Sequence, residues 1–196
     1  MSPEKRFHHL RAVFESERFR RMEGLGNELP FFICPFDPQE SHQMERQRRQ
    51  LADGLKSKGI EILEINLYDL CMEILKERGI FDRILEMEQD ISKAQLKELL
   101  QGVLDPEHHL VPAIAARLAA DDFDILFLSG VGEVFPYIRS HHVLNNLQST
   151  INNKPAVLFF PGAWNHSEEG GASLDLFERL HDDKYYRAFN IFHYEP

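Results

Sequence analysis

Apolar residues fall into two patterns along this chain. Short, nearly continuous runs at 30–34 (PFFIC), 123–129 (FDILFLS) and 155–160 (PAVLFF) are bounded by Pro or Gly and predict strands buried on both faces. A fourth run, 60–65 (IEILEI), predicts another strand, and the aromatic segment 186–192 predicts a final one. Between them, apolar positions recur at helical spacing over 4–22, from Asp37 to Gly59, over 135–150 and over Leu174–Leu180. Asp37 suits an N-cap, Pro38 the first helical position and Glu40 the reciprocal capping position. Residues 67–120 read as wholly helical, punctuated by Gly79, by Ser92 as an N-cap and by Asp105-Pro106. That is too long for one crossover helix, so it predicts a helical insertion of about 67–120 within a single α/β domain spanning 1–196. Residues 165–173 read as a polar, Gly-rich loop.

Strands alternating with helices predict a mostly parallel sheet of about five strands with helices on both faces. In such sheets the ligand crevice lies beyond the C-terminal ends of the strands. The residues expected there are Asp37, Ser41 and His42 after the first strand, and Ser129, Gly130, Gly132 and Glu133 after the third. Arg139 is expected one turn into the helix that follows. Pro161, Gly162, Trp164 and Asn165 follow the fourth strand, which is expected to end at Pro161-Gly162. Glu133 and Arg139 either pair with each other or present charge to a ligand.

No known chemistry fits these positions well. A phosphate loop needs GxxxxGK[ST] after the first strand. Here that segment is CPFDPQES, with no Gly, no Lys and two prolines that remove N–H donors. The expected fold is therefore nucleotide-binding-like but without a P-loop. Gly130-Val-Gly132 lacks the third glycine of a dinucleotide fingerprint and reads first as a tight turn. Six of the ten His stand in adjacent pairs, including His141-His142, and neighbours on a helix diverge by about 100° and do not readily share a metal. Ser129 is the best-placed hydroxyl, with His42 or His141 as a base in principle, yet no GxSxG elbow surrounds it. No cofactor is implied.

Composition narrows the classes further. With 196 residues, 43% of them hydrophobic, the chain can bury a full core without staples. Two Cys exclude a disulfide-dense scaffold, and both sit in apolar surroundings that predict buried thiols. A net charge of −10 argues against direct DNA binding as the main role, although Arg46, Arg48 and Arg49 form a local basic stripe, as do Arg18, Arg20 and Arg21. No run approaches the roughly 20 apolar residues of a membrane helix, and no leader pattern is present, so a cytoplasmic location is expected. The aromatic C-terminal segment, with Tyr186 and Arg187, reads as a packed strand, as an edge that pairs with another protein, or as a stacking surface for single-stranded nucleic acid.

Three blocks in order carry a resemblance: LFLSGVGEVFPYIRSHHVLNNLQ at 126–148, PAVLFFPGAW at 155–164 and LFERLHDDKYYRAFNI at 176–191. With PFFICPFDPQE at 30–40 they resemble the BrxB family, a small component of bacterial BREX phage-exclusion systems. The resemblance implies phage defence alongside a methyltransferase, AAA+ ATPases and a PglZ-like protein of the alkaline phosphatase superfamily, the last being the expected partner. It implies no established enzymatic activity. Gly130, Gly132, Glu133, Phe135, Pro136, Arg139, His141, Asn145, Asn146, Pro161, Gly162, Tyr186, Arg187 and Asn190 match the family pattern. Trp164 departs from it where Tyr is usual, and the 165–173 loop looks longer. The role expected is a non-enzymatic assembly protein; the alternatives are a small-ligand binder or enzyme at the strand ends, and a DNA-binding accessory subunit.

Overall fold

The computed structural model describes residues 1–23, 30–147, 150–151, 153–167, 171–177, 180–182 and 188–196. In chain order the helices are α1 (Pro3–Glu15), α2 (Glu17–Arg20), α3 (Ser41–Lys56), α4 (Leu67–Glu77), α5 (Phe81–Glu88), α6 (Lys93–Val103), α7 (Val111–Ala120) and α8 (Ser140–Leu147). A π-helical turn, Pro106–Leu110, leads into α7. The strands are β1 (Phe31–Phe36), β2 (Ile62–Asn66), β3 (Ile125–Ser129), β4 (Ala156–Ser167), β5 (Gly171–Leu176), β6 (Leu180–Asp182) and β7 (Phe189–Asn190).

Five strands form a parallel sheet in the order β2-β3-β4-β1-β7. Its central strands are buried on both faces, as their apolar runs require. Phe32, Cys34, Ile125, Phe127, Val157 and Phe159 face α1 and α3. Phe31, Ile33, Leu126, Leu128, Ala156 and Leu158 face the other way, packed with side chains of α4, α7 and α8. Helices α5 and α6 contain no buried residue, and only Phe81, Ile84, Leu100 and Val103 among them touch that core. Both cysteines are buried free thiols, each pushed up to about 12 by burial.

Several boundaries differ from the sequence expectation, each for a local reason. Helix 4–22 breaks at Ser16, whose extended backbone separates α1 from α2. The first strand does not stop at Pro35 but runs to Phe36. The β7 ladder covers only Phe32 and Ile33, so beyond it, among the described residues, one side of β1 has no strand that needs an N–H from proline. Asp37 accepts from the Gln39 amide as expected, but only a 3-10 turn follows before α3. Glu40 turns away from reciprocal capping and accepts from the buried Arg6, Nη1 to Oε2 at 2.7 Å. The helix expected over 135–150 is confined to α8, because Pro136 biases Phe135 away from helical backbone. Arg139 therefore stands just ahead of the helix rather than one turn inside it.

The largest correction is in the last third. The fourth strand does not end at Pro161-Gly162; β4 continues to Ser167. The loop expected at 165–173 contributes residues to β4 and β5, and the helix expected at Leu174–Leu180 is absent. Instead β4, β5 and β6 form an antiparallel ribbon, with Gly162 opposite Leu176 and Trp164 opposite Leu174. Leu174 and Leu176 are buried with the less buried Asp175 between them, the period of a strand. The final strand is only two residues long and passes into a 3-10 turn, Ile191–His193. Ile191, Phe189, Phe192 and Tyr194 pack against the α1 side of the sheet, Tyr194 edge-on to Phe19 and Phe32. Tyr186 and Arg187 lie outside the described residues.

Candidate functional site

The connections of the sheet locate its crevice. The chain leaves β1 toward α3 on one face, and leaves β2 and β3 toward α4 and α8 on the other. Strand β4 lies between β3 and β1, so the connections diverge at its C-terminal end. Ligands of open parallel sheets usually sit at such a divergence. Here β4 does not turn away; it runs on through the gap as the ribbon. After β5 the chain folds back, and the Phe177 amide donates to the Pro161 carbonyl at 2.9 Å. Phe177 holds a left-handed backbone, φ 55°, which is unusual for a bulky side chain. Its ring lies over Gly132, where an added Cβ would come within 3.0 Å of it. The chain's own ribbon thus occupies the place of a ligand.

The helix starts at this rim are also satisfied from within. Asp37 takes the Gln39 amide, and Asn66 Oδ1 accepts from the amides of Tyr68 and Asp69 at the start of α4. Gly130, at φ +78°, lets the chain leave β3 against Asn66; a Cβ there would stand 2.3 Å from Asn66 Oδ1. These N–H groups, which could otherwise hold a phosphate, already have oxygen partners.

The charge near the β2 and β3 ends is mainly acidic. Arg48 on α3 pairs with Glu64 on β2, and Arg49 pairs with Glu45. Burial weakens the charged form of Arg48, and Glu45 and Glu133 act in the opposite direction. The carboxyl of Glu133 is held above its ordinary range, first by burial and then by Asp69 and Glu45. The Tyr137 hydroxyl donates to the Glu133 carbonyl at 3.4 Å. Burial, then Cys71, Tyr68 and Glu133, push this phenol up to about 12. Ser129 is 9% exposed, and its Oγ has no hydrogen-bond partner.

Of the residues expected from sequence, Ser129, Gly130, Gly132 and Glu133 lie together after β3. Asp37 and His42 are exposed after β1, and Arg139 is exposed and forms no ion pair with Glu133. His141 and Asn145 lie on α8. Trp164 is on the ribbon, partly buried against the core. The sequence reading missed Glu45, Asn66, Asp69 and Phe177, and placed Arg48 in a basic stripe rather than at this rim. The alternation of Leu174 and Leu176 was the available signal for the ribbon that carries Phe177. Among the described residues no group of His, Cys, Asp and Glu is arranged to hold a metal ion. No helix among them is long and apolar enough to cross a membrane.

The raised Glu133 carboxyl makes a pH prediction. A carboxyl whose folded pKa exceeds its unfolded one binds more protons when folded, so its contribution to stability falls as pH rises through that window. Glu133→Gln removes the penalty. Thermal melts should show variant and native chain alike well below the ordinary value of 4.5. Toward pH 7 the variant should become the more stable, and a gap of opposite sign would refute the surroundings described for Glu133, partial desolvation beside Asp69 and Glu45.

Fold and site together define a parallel α/β protein whose strand-end crevice is closed by its own β-ribbon and whose rim is acidic. The family model "BREX protein BrxB" matches residues 63–191. A relative described as "BREX protein BrxB" from Bacillus cereus (strain H3081.97) is 38% identical over 179 residues, 88% of each chain. Another of the same description, from Escherichia coli O9:H4 (strain HS), is 29% identical over 190 residues, 96% of this chain and 90% of its own. No solved structure matches. The chain belongs to the BrxB family of BREX proteins.

Proposed function

We propose that this chain acts in BREX phage defence as a non-enzymatic assembly protein that holds a PglZ-like protein of the alkaline phosphatase superfamily. The observation that carries the reading is the ribbon across the strand-end crevice, seated by Phe177 on Pro161 and Gly132. A crevice filled by its own chain suits a preformed surface better than a pocket for a small substrate. The internally capped helix starts and the acidic rim also disfavour a nucleotide phosphate. A DNA-binding role draws little support from the basic stripes: Arg48 and Arg49 are paired to carboxylates, and Arg21 lies 3.5 Å from Glu17.

One observation favours a second reading, a small-ligand site: the unpartnered hydroxyl of Ser129. Size-exclusion chromatography of the full chain mixed with the PglZ-like protein separates the two. A common peak is the expected result. Separate elution from that protein and from every other BREX component would refute the assembly reading. Saturable heat on titrating nucleotides would favour the second.

A further inference from the structure

We propose that the surface over the C-terminal ends of β2 and β3 is a socket for an arginine side chain of a protein partner, its guanidinium seated among Asp69, Glu133 and Glu45 with the Ser129 hydroxyl beneath. The proposal rests on the assembly reading and specifies the chemistry of the partner that reading requires.

Three elements converge there. Glu45 comes from the first turns of α3, Asp69 from the first turn of α4, and Glu133 from the turn after β3. All three are exposed, and Asp69 and Glu45 both act on the Glu133 carboxyl. The cations at hand are committed: Arg48 to Glu64, and Arg49 to Glu45. Among the described residues Asp69 and Glu133 form no ion pair, and Arg48, bridged to Glu64, acts on Glu133 only from beyond pairing distance.

Ser129 is an independent sign that something docks there. By the alternation of β3 it points to the same face as Ile125 and Phe127, toward α3. Its neighbour in register is Asn66, one pleat nearer the rim than the Glu64–Phe127 pair, where Arg48 makes its bridge. An N–H of an incoming group would fill the vacant acceptor of this hydroxyl, which is nine-tenths buried.

The aromatic content decides for arginine over lysine. Tyr68, 39% exposed, precedes Asp69, and Tyr137 bonds back to the Glu133 backbone. Both phenols act electrostatically on one neighbourhood, since Tyr68 and Glu133 together influence Tyr137. A planar guanidinium can stack on a tyrosine face while its forked N–H groups reach two carboxylates; a compact ammonium cannot do both.

The test titrates the full chain with blocked tetra-arginine and blocked tetra-lysine peptides in 150 mM salt, followed by two-dimensional amide NMR. The variants are Glu45→Gln/Asp69→Asn/Glu133→Gln, Ser129→Ala, and Glu86→Gln/Glu88→Gln/Asp90→Asn as a charge-matched control on and beside exposed α5. Tetra-arginine should shift amides at 66–69 and 130–137. The rim triple variant should weaken it at least tenfold and Ser129→Ala several-fold, with the control unchanged. Tetra-lysine should bind at least fivefold more weakly. Equal binding of both peptides, no saturable binding, or binding that survives the rim triple variant would overturn the proposal. The PglZ-like protein provides a separate arm. If it binds the native chain and the rim triple variant equally while tetra-arginine does not bind, the socket fails and the assembly reading stands. If tetra-arginine binds as expected but the PglZ-like protein does not, the socket stands and the assembly reading with that partner fails.

Discussion

Phe127→Ala is expected to destabilise the chain by about 3–5 kcal/mol, the range for deleting a buried aromatic ring. Phe127 is wholly buried on the central strand β3. Its ring centroid lies 5.0 Å from that of Phe14 on α1 and 5.1 Å from that of Phe159 on β4. Phe159 is held in register opposite Cys34 on β1, and Phe14 also packs on Phe19, so neither is free to collapse into the space left behind. The loss is a large share of the ~5–15 kcal/mol that usually separates folded from unfolded domains. Urea unfolding should show a lower midpoint, and the melting temperature should fall on the order of 10 °C. A change below about 1 kcal/mol would mean that this face of the sheet is not packed as described.

Gly162→Ala should be nearly as harmful but local. A Cβ at this position would stand 2.1 Å from the Asp175 carbonyl oxygen and 2.8 Å from a ring carbon of Phe160. The first obstacle is backbone, which cannot swing aside as a side chain can. The ribbon must open at its root, where Gly162 opposes Leu176, and Phe177 must leave Pro161 and Gly132. A penalty of about 3 kcal/mol, the upper part of the overpacking range, is expected. Because β1 and β3 pair with β4 ahead of Gly162, or one residue beyond Phe160, the parallel sheet should persist. Hydrogen exchange is the measurement: protected amides of Ala163–Ser167 and of Gly171–Phe177 should exchange roughly a hundredfold faster, and those of Leu126–Leu128 should not change. Uniform acceleration across both regions would show that the ribbon and the sheet unfold as one unit. Unchanged exchange would remove the close approach on which the closed crevice depends.

Several parts of the fold were legible because their physics is local. Buried parallel strands need apolar residues on both faces, so FFIC, ILFLS and AVLFF announce themselves as continuous runs. Caps pair a short polar side chain with nearby amides, and Asp37 and Ser92 do what their positions suggested. The ribbon was less legible: its alternating Leu174 and Leu176 span too few residues to distinguish a strand from one helical turn. The candidate site was legible only in part. Ser129, Gly130, Gly132 and Glu133 follow a strand and fall at its end by necessity. Glu45 and Arg48 come from α3, and Asn66 and Asp69 from the β2–α4 junction, and nothing local ties these two stretches to Glu133.

The sequence by itself determined the class of fold, the buried strands, the two buried thiols and the absence of a phosphate loop, because each depends on neighbouring residues alone. Only the tertiary structure decided the strand order, the ribbon that closes the crevice and the grouping of Glu45, Asp69 and Glu133. Those depend on which strands pair and which helix ends meet, and pairing is a property of long-range contacts that no single segment encodes.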